Sequence, residues 1–285
     1  MGSLGDKRAG ELVSCLMVTR LSPDRRQLTR AAFAAFEAQT HPRRELVVVV
    51  DASADAEGRR ELERMIRGAA AAPIRVVEAP GAPPLGALRN LAVAAAAGDL
   101  VCQWDDDDIY HPERLSAQLT TLLSGGHEAV GLQDVLQFYP ALRTLYWINW
   151  RATQAGLHPG TVLMRRGAPV RYPETGPEAA LGEDTVLALA LRARGRLGSL
   201  AGAPHLFAYV SHGKNSWDDG HHRMLAETLA ISRGLLQRQE AALRAGVAAL
   251  DFGLAGGGPG PISVRGANGP AFEIAAAVSS GRPGS

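Results

Sequence analysis

Residues 103–115 read QWDDDDIYHPERL. Asp105, Asp106, Asp107 and Asp108 stand side by side, after an apolar run and before a helix start. Four adjacent negative charges repel one another, so something must take up their charge. Charge runs are ordinarily solvated surface, but this one follows a buried strand. A calcium loop of the EF-hand kind spreads its ligands over about twelve residues, with a central glycine and a final glutamate; that spacing is missing. The remaining chemistry is a divalent ion bridging carboxylate and phosphate. Magnesium and manganese suit one or two carboxylates, with phosphate oxygens and water completing the shell. Further groups able to do chemistry are Asp51 at the end of ELVVVVD, Arg89 in LGALRN, Glu183 and Asp184 in LGEDT, and His212 in SHGKNSW.

The elements that must position them alternate along the chain. LVSCLMVT (12–19) reads as a buried strand, and ELVVVVD (45–51), IRVVEA (74–79) and DLVCQW (99–104) read as the second, third and fourth strands. Helical spacing marks 23–40, 56–69, 83–98 and 111–126 between and after them, with Pro23 and Pro112 near first turns. Repeated β-α-β with continuous apolar strands predicts a mostly parallel sheet covered by helices on both faces. Ligands of such sheets bind beyond the carboxyl ends of the strands, where Asp51 and the aspartate run both fall. After residue 127 the rhythm changes. Strands are expected at 128–139, 142–150, 161–166 and from 205, and a helix at 181–195. One long amphipathic helix is expected over 218–250, bearing Arg223, Arg233, Arg238 and Arg244. The Gly/Pro-rich stretch from about 253 to 285 and residues 1–10 are expected not to fold.

The 285 residues are 46% hydrophobic, enough for one sizeable core, and 30 basic against 29 acidic side chains leave a net charge of +1. That balance excludes a polybasic field for nucleic acid or anionic membrane. Cys15 and Cys102 lie in apolar strand runs and read as reduced core residues. The first residues lack the apolar core of a signal peptide, and no stretch is long enough to span a bilayer. A cytoplasmic location is expected.

Several stretches in order give the chain a family resemblance. VSCLMVTR, then AQTHP, ELVVVVD, LGALRN, GDLVCQWDDDDIYHPERL, HPGTVLMRR, GEDTVL and HGKNSWDD together resemble the family 2 glycosyltransferases. The likeness runs over roughly residues 11–225. It implies a GT-A fold, inverting sugar transfer from a nucleotide diphosphate donor, and Mn2+ or Mg2+. It further implies a single domain over 11–250. Within it, 11–126 would bind the nucleotide sugar, 127–217 the acceptor, and 218–250 would form the C-terminal helix. Two departures stand out. Val18 and Arg20 occupy the first loop where the family often has Pro and Tyr, and Asp51 is followed by Ala52 where a second aspartate is common.

The resemblance also assigns roles. Asp107 and His212 would hold the metal. Asp105 and Asp106 would face the donor's ribose or sugar, while Asp108 would cap the helix near Pro112. Asp51 would accept a hydrogen bond from the base, with Thr19 and Arg20 lining its pocket. Arg89 would pair with donor phosphate or hold an aspartate. Asp184 would take the acceptor's proton, with Glu183 orienting the acceptor; the same two acids equally suit a helix N-terminus. Lys214, Asn215 and Trp217 would help close the late loop. Trp147 and Trp150 are candidates for an acceptor-side stacking wall, at least one of them alternatively core. His221 and His222 would lie on the surface.

The expected donor is a UDP-sugar, of hexosyl or N-acetylhexosaminyl type. The acceptor would be a saccharide or lipid-linked molecule, as in polysaccharide biosynthesis. Peripheral contact with the inner membrane face and a homodimer through the C-terminal helix are compatible partners. A dehydrogenase would want G-x-G-x-x-G where this chain has TRLSPDRR. A sugar nucleotidyltransferase would want an early phosphate loop rich in glycine and arginine, which is absent. A catalytically inactive sugar-nucleotide- or carbohydrate-binding relative is the non-enzyme alternative.

Overall fold

Strand and helix alternate from residue 13, as the apolar runs predict. The structure is a computed structural model describing residues 10–69, 71–255 and 260–275. Strand β1 (Val13–Thr19) leads through helix α1 (Arg26–Glu37) to β2 (Arg44–Val50). Helix α2 (Ala56–Gly68) leads on to β3 (Ile74–Glu78), and α3 (Leu85–Ala95) to β4 (Leu100–Gln103). All four strands run parallel, in the order β3-β2-β1-β4. The chain thus winds outward from β1 and returns to its other side. A right-handed crossover puts the helices of those two directions on opposite faces. Accordingly Phe33, Phe36 and Leu62 of α1 and α2 pack with Cys15 and Met17, whereas Leu88, Ala92 and Val93 of α3 pack with Leu16, Val47 and Val49. Each buried Val or Leu here contributes about 1.5–3 kcal/mol through water exclusion. The reversal of strand order between β1 and β4 leaves a crevice at their carboxyl ends.

The aspartate run bridges two sheets. Directly after it, β5 (Ile109–Tyr110) belongs to a second, six-stranded sheet, pairing with β11 (Phe207–Val210). Helix α4 (Arg114–Ser124) then returns to the first sheet. The expected strand 128–139 is two strands in different sheets. β6 (Ala129–Leu132) joins the first and β7 (Asp134–Tyr139) the second, where it pairs with β8 (Thr144–Asn149). β9 (Leu163–Arg165) runs antiparallel between β4 and β6, and β10 (Leu197–Leu200), absent from the sequence reading, pairs with β6. The first sheet is therefore seven-stranded and mostly parallel, with one antiparallel strand. Helix α5 (Glu183–Ala193) covers its α3 face.

Two expectations for the C-terminal region are corrected. The single helix over 218–250 is three: α6 (Asp219–Leu229), α7 (Arg233–Arg238) and α8 (Glu240–Val247). Ala230 leaves the helix to bridge Ile148, Ile231 N–H donates to Trp147 O, and Ser232 caps α7. Leu236, Leu243 and Val247 bury against the second sheet. The Gly/Pro-rich tail is not structureless either. β12 (Pro261–Gly266) and β13 (Gly269–Ala275) form a hairpin, with β12 parallel to β8. Ala267 and Asn268 make its turn between the paired Gly266 and Gly269, and Ile262, Val264 and Ile274 alternate into the core. Residues 1–9, 70, 256–259 and 276–285 lie outside the described residues. Among the described residues no helix is long and apolar enough to cross a membrane.

Candidate active site

Strand β4 ends at Gln103 in one sheet and β5 begins at Ile109 in the other, so the aspartates must turn within that gap. The anchors around them are large. Trp104 is fully buried, stacks on Tyr110 at 3.9 Å, and donates to Ala32 O. Arg114 lies buried beneath Trp104, Tyr110 and Phe207 and donates to Gln103 O.

Each aspartate then finds its own partners, which is why the run is tolerated. Asp105 accepts from Arg89 Nη1 at 2.8 Å and Gln103 Nε2 at 2.8 Å. Asp106 accepts from Thr19 Oγ1 at 2.5 Å and Thr29 Oγ1 at 3.3 Å, with Arg25 Nη2 at 3.1 Å. Asp107 pairs with Arg25 and has His212 Nε2 at 3.0 Å. Asp108 accepts from Val210 N–H at 3.0 Å. The expected cap of α4 by Asp108 is thereby corrected: pairing β5 with β11 turns its carboxylate toward β11, and α4 has no side-chain cap.

These environments separate the carboxyls electrostatically. Burial pushes Asp106 up to about 6, against the pull of Arg25. Burial also raises Asp107, but the hydrogen bond with His212 and the charge of Arg25 outweigh it, and the group lies below the ordinary value. Asp108 is raised well above the usual range by burial and by its neighbours Asp107 and Asp105.

A cavity of about 640 Å³ opens over the carboxyl ends of the strands. Thr19, Arg20, Asp51, Arg89, the four aspartates, Glu183, Asp184 and Trp150 all line it. Asp51 sits at the end of β2, accepts from Ser53 N–H at 2.8 Å, and has Arg20 Nε at 3.5 Å. Arg89 spans the cavity floor, with its Nε 2.7 Å from Glu183 Oε1 and its Nη1 on Asp105. It is committed to carboxylates, the second of the two roles the sequence left open. Glu183 is buried against it, while the adjacent Asp184 is half-buried on the cavity wall. Burial and the charge of Glu183 push Asp184 up to about 6.

Gly182 sets up that arrangement. It enters α5 with φ +87°, and a side chain there would be in ordinary contact with Trp217 of the late loop. The cost of substitution is therefore backbone strain. Gly182→Ala is expected to lower unfolding free energy by about 1–2 kcal/mol in urea titration.

Several assignments move. His212 reaches Asp107 but is not part of the cavity lining. Trp147 is core: it packs with Leu136 and Leu145, and its Nε1 donates to buried Asp134 at 2.7 Å. Of the two tryptophans only Trp150 reaches the cavity, where its indole N–H is buried without a partner. His222 is buried beside Tyr209 rather than on the surface, because α6 lays it against β11. Lys214 pairs with Asp24, tying the late loop to the first loop, and Asn215 Nδ2 donates to Val210 O. The sequence reading missed Arg25, Thr29 and His158. Arg25 and Thr29 are four residues apart at the start of α1, a spacing that puts both on one helix face.

Residues 15–160, just over half of the chain, match the family described as Glycosyl transferase family 2. The chain belongs to that family. Several solved structures are similar to it at low identity. S. aureus TarS 1-349 in complex with UDP superposes with a TM-score of 0.54 at 15% identity, over 82% of this chain and 73% of that one. S. aureus TarS gives 0.54 at 15% identity, over 80% of this chain but 43% of that one. The mannosyltransferase PcManGT from Pyrobaculum calidifontis, in complex with GDP-Man and Mn2+, gives 0.56 at 16% identity, over 82% and 64%. These likenesses give the family 2 chain its GT-A fold. No curated protein matches it.

Proposed function

We propose that the protein is a metal-dependent, inverting glycosyltransferase that moves a sugar from a nucleotide diphosphate donor to a hydroxyl. The observation that carries this reading is the single cavity that joins Asp51, Asp105, Asp107 and Asp184 in a family 2 chain. Asp51 offers a carboxylate to the N–H edge of a uracil-type base. A UDP-sugar of hexosyl or N-acetylhexosaminyl type is the favoured donor. Relatives in complex with UDP and with GDP-Man support a nucleotide sugar.

The residues fit a divalent ion that arrives with its diphosphate. Asp107 and His212 converge within 3.0 Å, while no group of three or more His, Cys, Asp or Glu is placed to hold a metal among the described residues. Two protein donors suffice where phosphate oxygens and water complete the shell. When bound, Mn2+ or Mg2+ would stabilise negative charge on the leaving diphosphate. A relative in complex with GDP-Man and Mn2+ supports the pairing.

Asp184 is the base. Its carboxyl, held at about 6, is ionised at neutral pH yet basic enough to receive the acceptor's hydroxyl proton as that oxygen attacks the anomeric carbon. Glu183 is held by Arg89 at 2.7 Å, next to Asp184 in the chain. Trp150 offers the part of its ring that lines the cavity to a saccharide acceptor.

Calorimetric titration with UDP, GDP and dTDP, with and without Mn2+, tests the reading. Mn2+-dependent binding of one nucleotide is expected, weakened at least tenfold in Asp107→Ala. Absence of binding by all three nucleotides would remove its physical basis.

A further inference from the structure

The oxygen of Asp107 best placed for a metal already has two partners. His212 Nε2 lies 3.0 Å from Oδ2, and Arg25 Nη2 contacts that same atom. Arg25 also lies 3.1 Å from Asp106 Oδ1. Its guanidinium therefore sits between the two carboxylates, where it supplies positive charge to the run.

The hold on Arg25 is incomplete. Its Nε is buried with no hydrogen-bond partner. Arg89, by contrast, commits Nε and Nη1 to separate carboxylates. Arg25 also lines the cavity, and its side chain retains 24% exposure. Asp106 would not be stranded if Arg25 left, because Thr19 and Thr29 donate hydroxyls to it. Asp107 would pair with the ion that takes its place. A planar guanidinium matches phosphate oxygens two at a time, and is more weakly hydrated than an ammonium.

We infer that Arg25 is a resident counter-cation of the aspartate run. It occupies the metal side of Asp107 in the free protein and transfers to the donor's diphosphate as nucleotide and metal bind. This rests on the metal and diphosphate reading above. The exchange keeps the buried carboxylates neutralised throughout: guanidinium before binding, divalent ion afterwards. It also couples the two ligands. Nucleotide that draws Arg25 away raises metal affinity, and by linkage the metal raises nucleotide affinity by the same factor.

Mn2+ titration followed by electron paramagnetic resonance, with UDP or GDP absent and present, tests this without any turnover. Wild-type protein is expected to bind Mn2+ at least tenfold more tightly with its preferred nucleotide than alone. Arg25→Met is expected to bind Mn2+ alone at least tenfold more tightly than wild type does, with the nucleotide enhancement reduced. Its affinity for nucleotide without metal should fall. Arg25→Lys keeps a charge but cannot span Asp106 and Asp107 together, so it should fall between the two, and it carries the test if the Met variant does not fold. If both variants bind Mn2+ alone no more tightly than wild type while nucleotide and Mn2+ still bind together, Arg25 is a fixed structural partner and the inference fails by itself. If wild-type protein binds neither nucleotide nor Mn2+, the reading of the site falls and this inference with it.

Discussion

Asp184→Asn is expected to lower kcat by about three orders of magnitude, the middle of the range that a positioned base contributes. Nucleotide affinity should stay within about threefold, since Asp184 accepts from Thr185 N–H and, among the described residues, makes no hydrogen bond with the groups that hold the aspartate run. The pH profile supplies a second, independent readout. A base works only when deprotonated, and burial with the charge of Glu183 holds Asp184 at about 6. In wild-type protein kcat/KM should therefore be flat above that value and fall tenfold for each pH unit below it. The Asn variant should lack that limb. A variant with unchanged kcat, or one that keeps the limb, would move the base elsewhere in the cavity.

Arg89→Ala should be the most destabilising single change in the site. Arg89 and Glu183 are both buried, and Asp105 shares the same guanidinium. Removing the cation leaves two carboxylates close together, with only the Gln103 amide on Asp105 to compensate. Loss of one partner from a buried ion pair costs about 3–5 kcal/mol. Urea unfolding should show that loss, and Arg89→Lys should recover only part of it, because an ammonium cannot serve two carboxylates through a fixed fork. A loss below about 1 kcal/mol would mean that the cluster gains nothing over its separated parts. Asp105 and Glu183 lie 78 positions apart in the chain (183 − 105), so Arg89 also fixes how α5 stands relative to the aspartate turn.

The parallel half of the fold was legible because its strands are continuous apolar runs. Val47, Val48 and Val49 leave no face to solvent, and a strand buried on both faces has no other composition available to it. The aspartate run, Asp51 and Glu183-Asp184 were legible because charged groups at strand ends and helix starts are conspicuous by type. The second sheet was harder. Its pairings join residues distant in sequence, as β5 with β11 and β8 with β12, and nothing local to residues 128–139 marks the change of sheet at Gln133. The hairpin at 261–275 was hidden by its glycines, although Asn268, a turn-forming residue between alternating apolar residues, was there to be read. Trp147 and Trp150 illustrate the limit from the other side. They are three residues apart and of one type, yet one is held in the core by Asp134 while the other reaches the cavity. Which partner a tryptophan meets depends on the packing of both sheets.

Strand β9 has a bearing on how such a protein can diversify. It lies between β4, which leads into the aspartates, and β6, which begins the region assigned to the acceptor. Strands from both sides of residue 126 are thus interleaved in one sheet rather than set side by side. A chimera joined near 126 would have to match foreign β6, β9 and β10 to the native edge of β4, strand by strand. Exchange of whole segments is a poor route to a new acceptor on this scaffold. Changes confined to connections that border the cavity, such as 150–159 and 212–217, leave the ladder intact, and recombination there carries no such penalty.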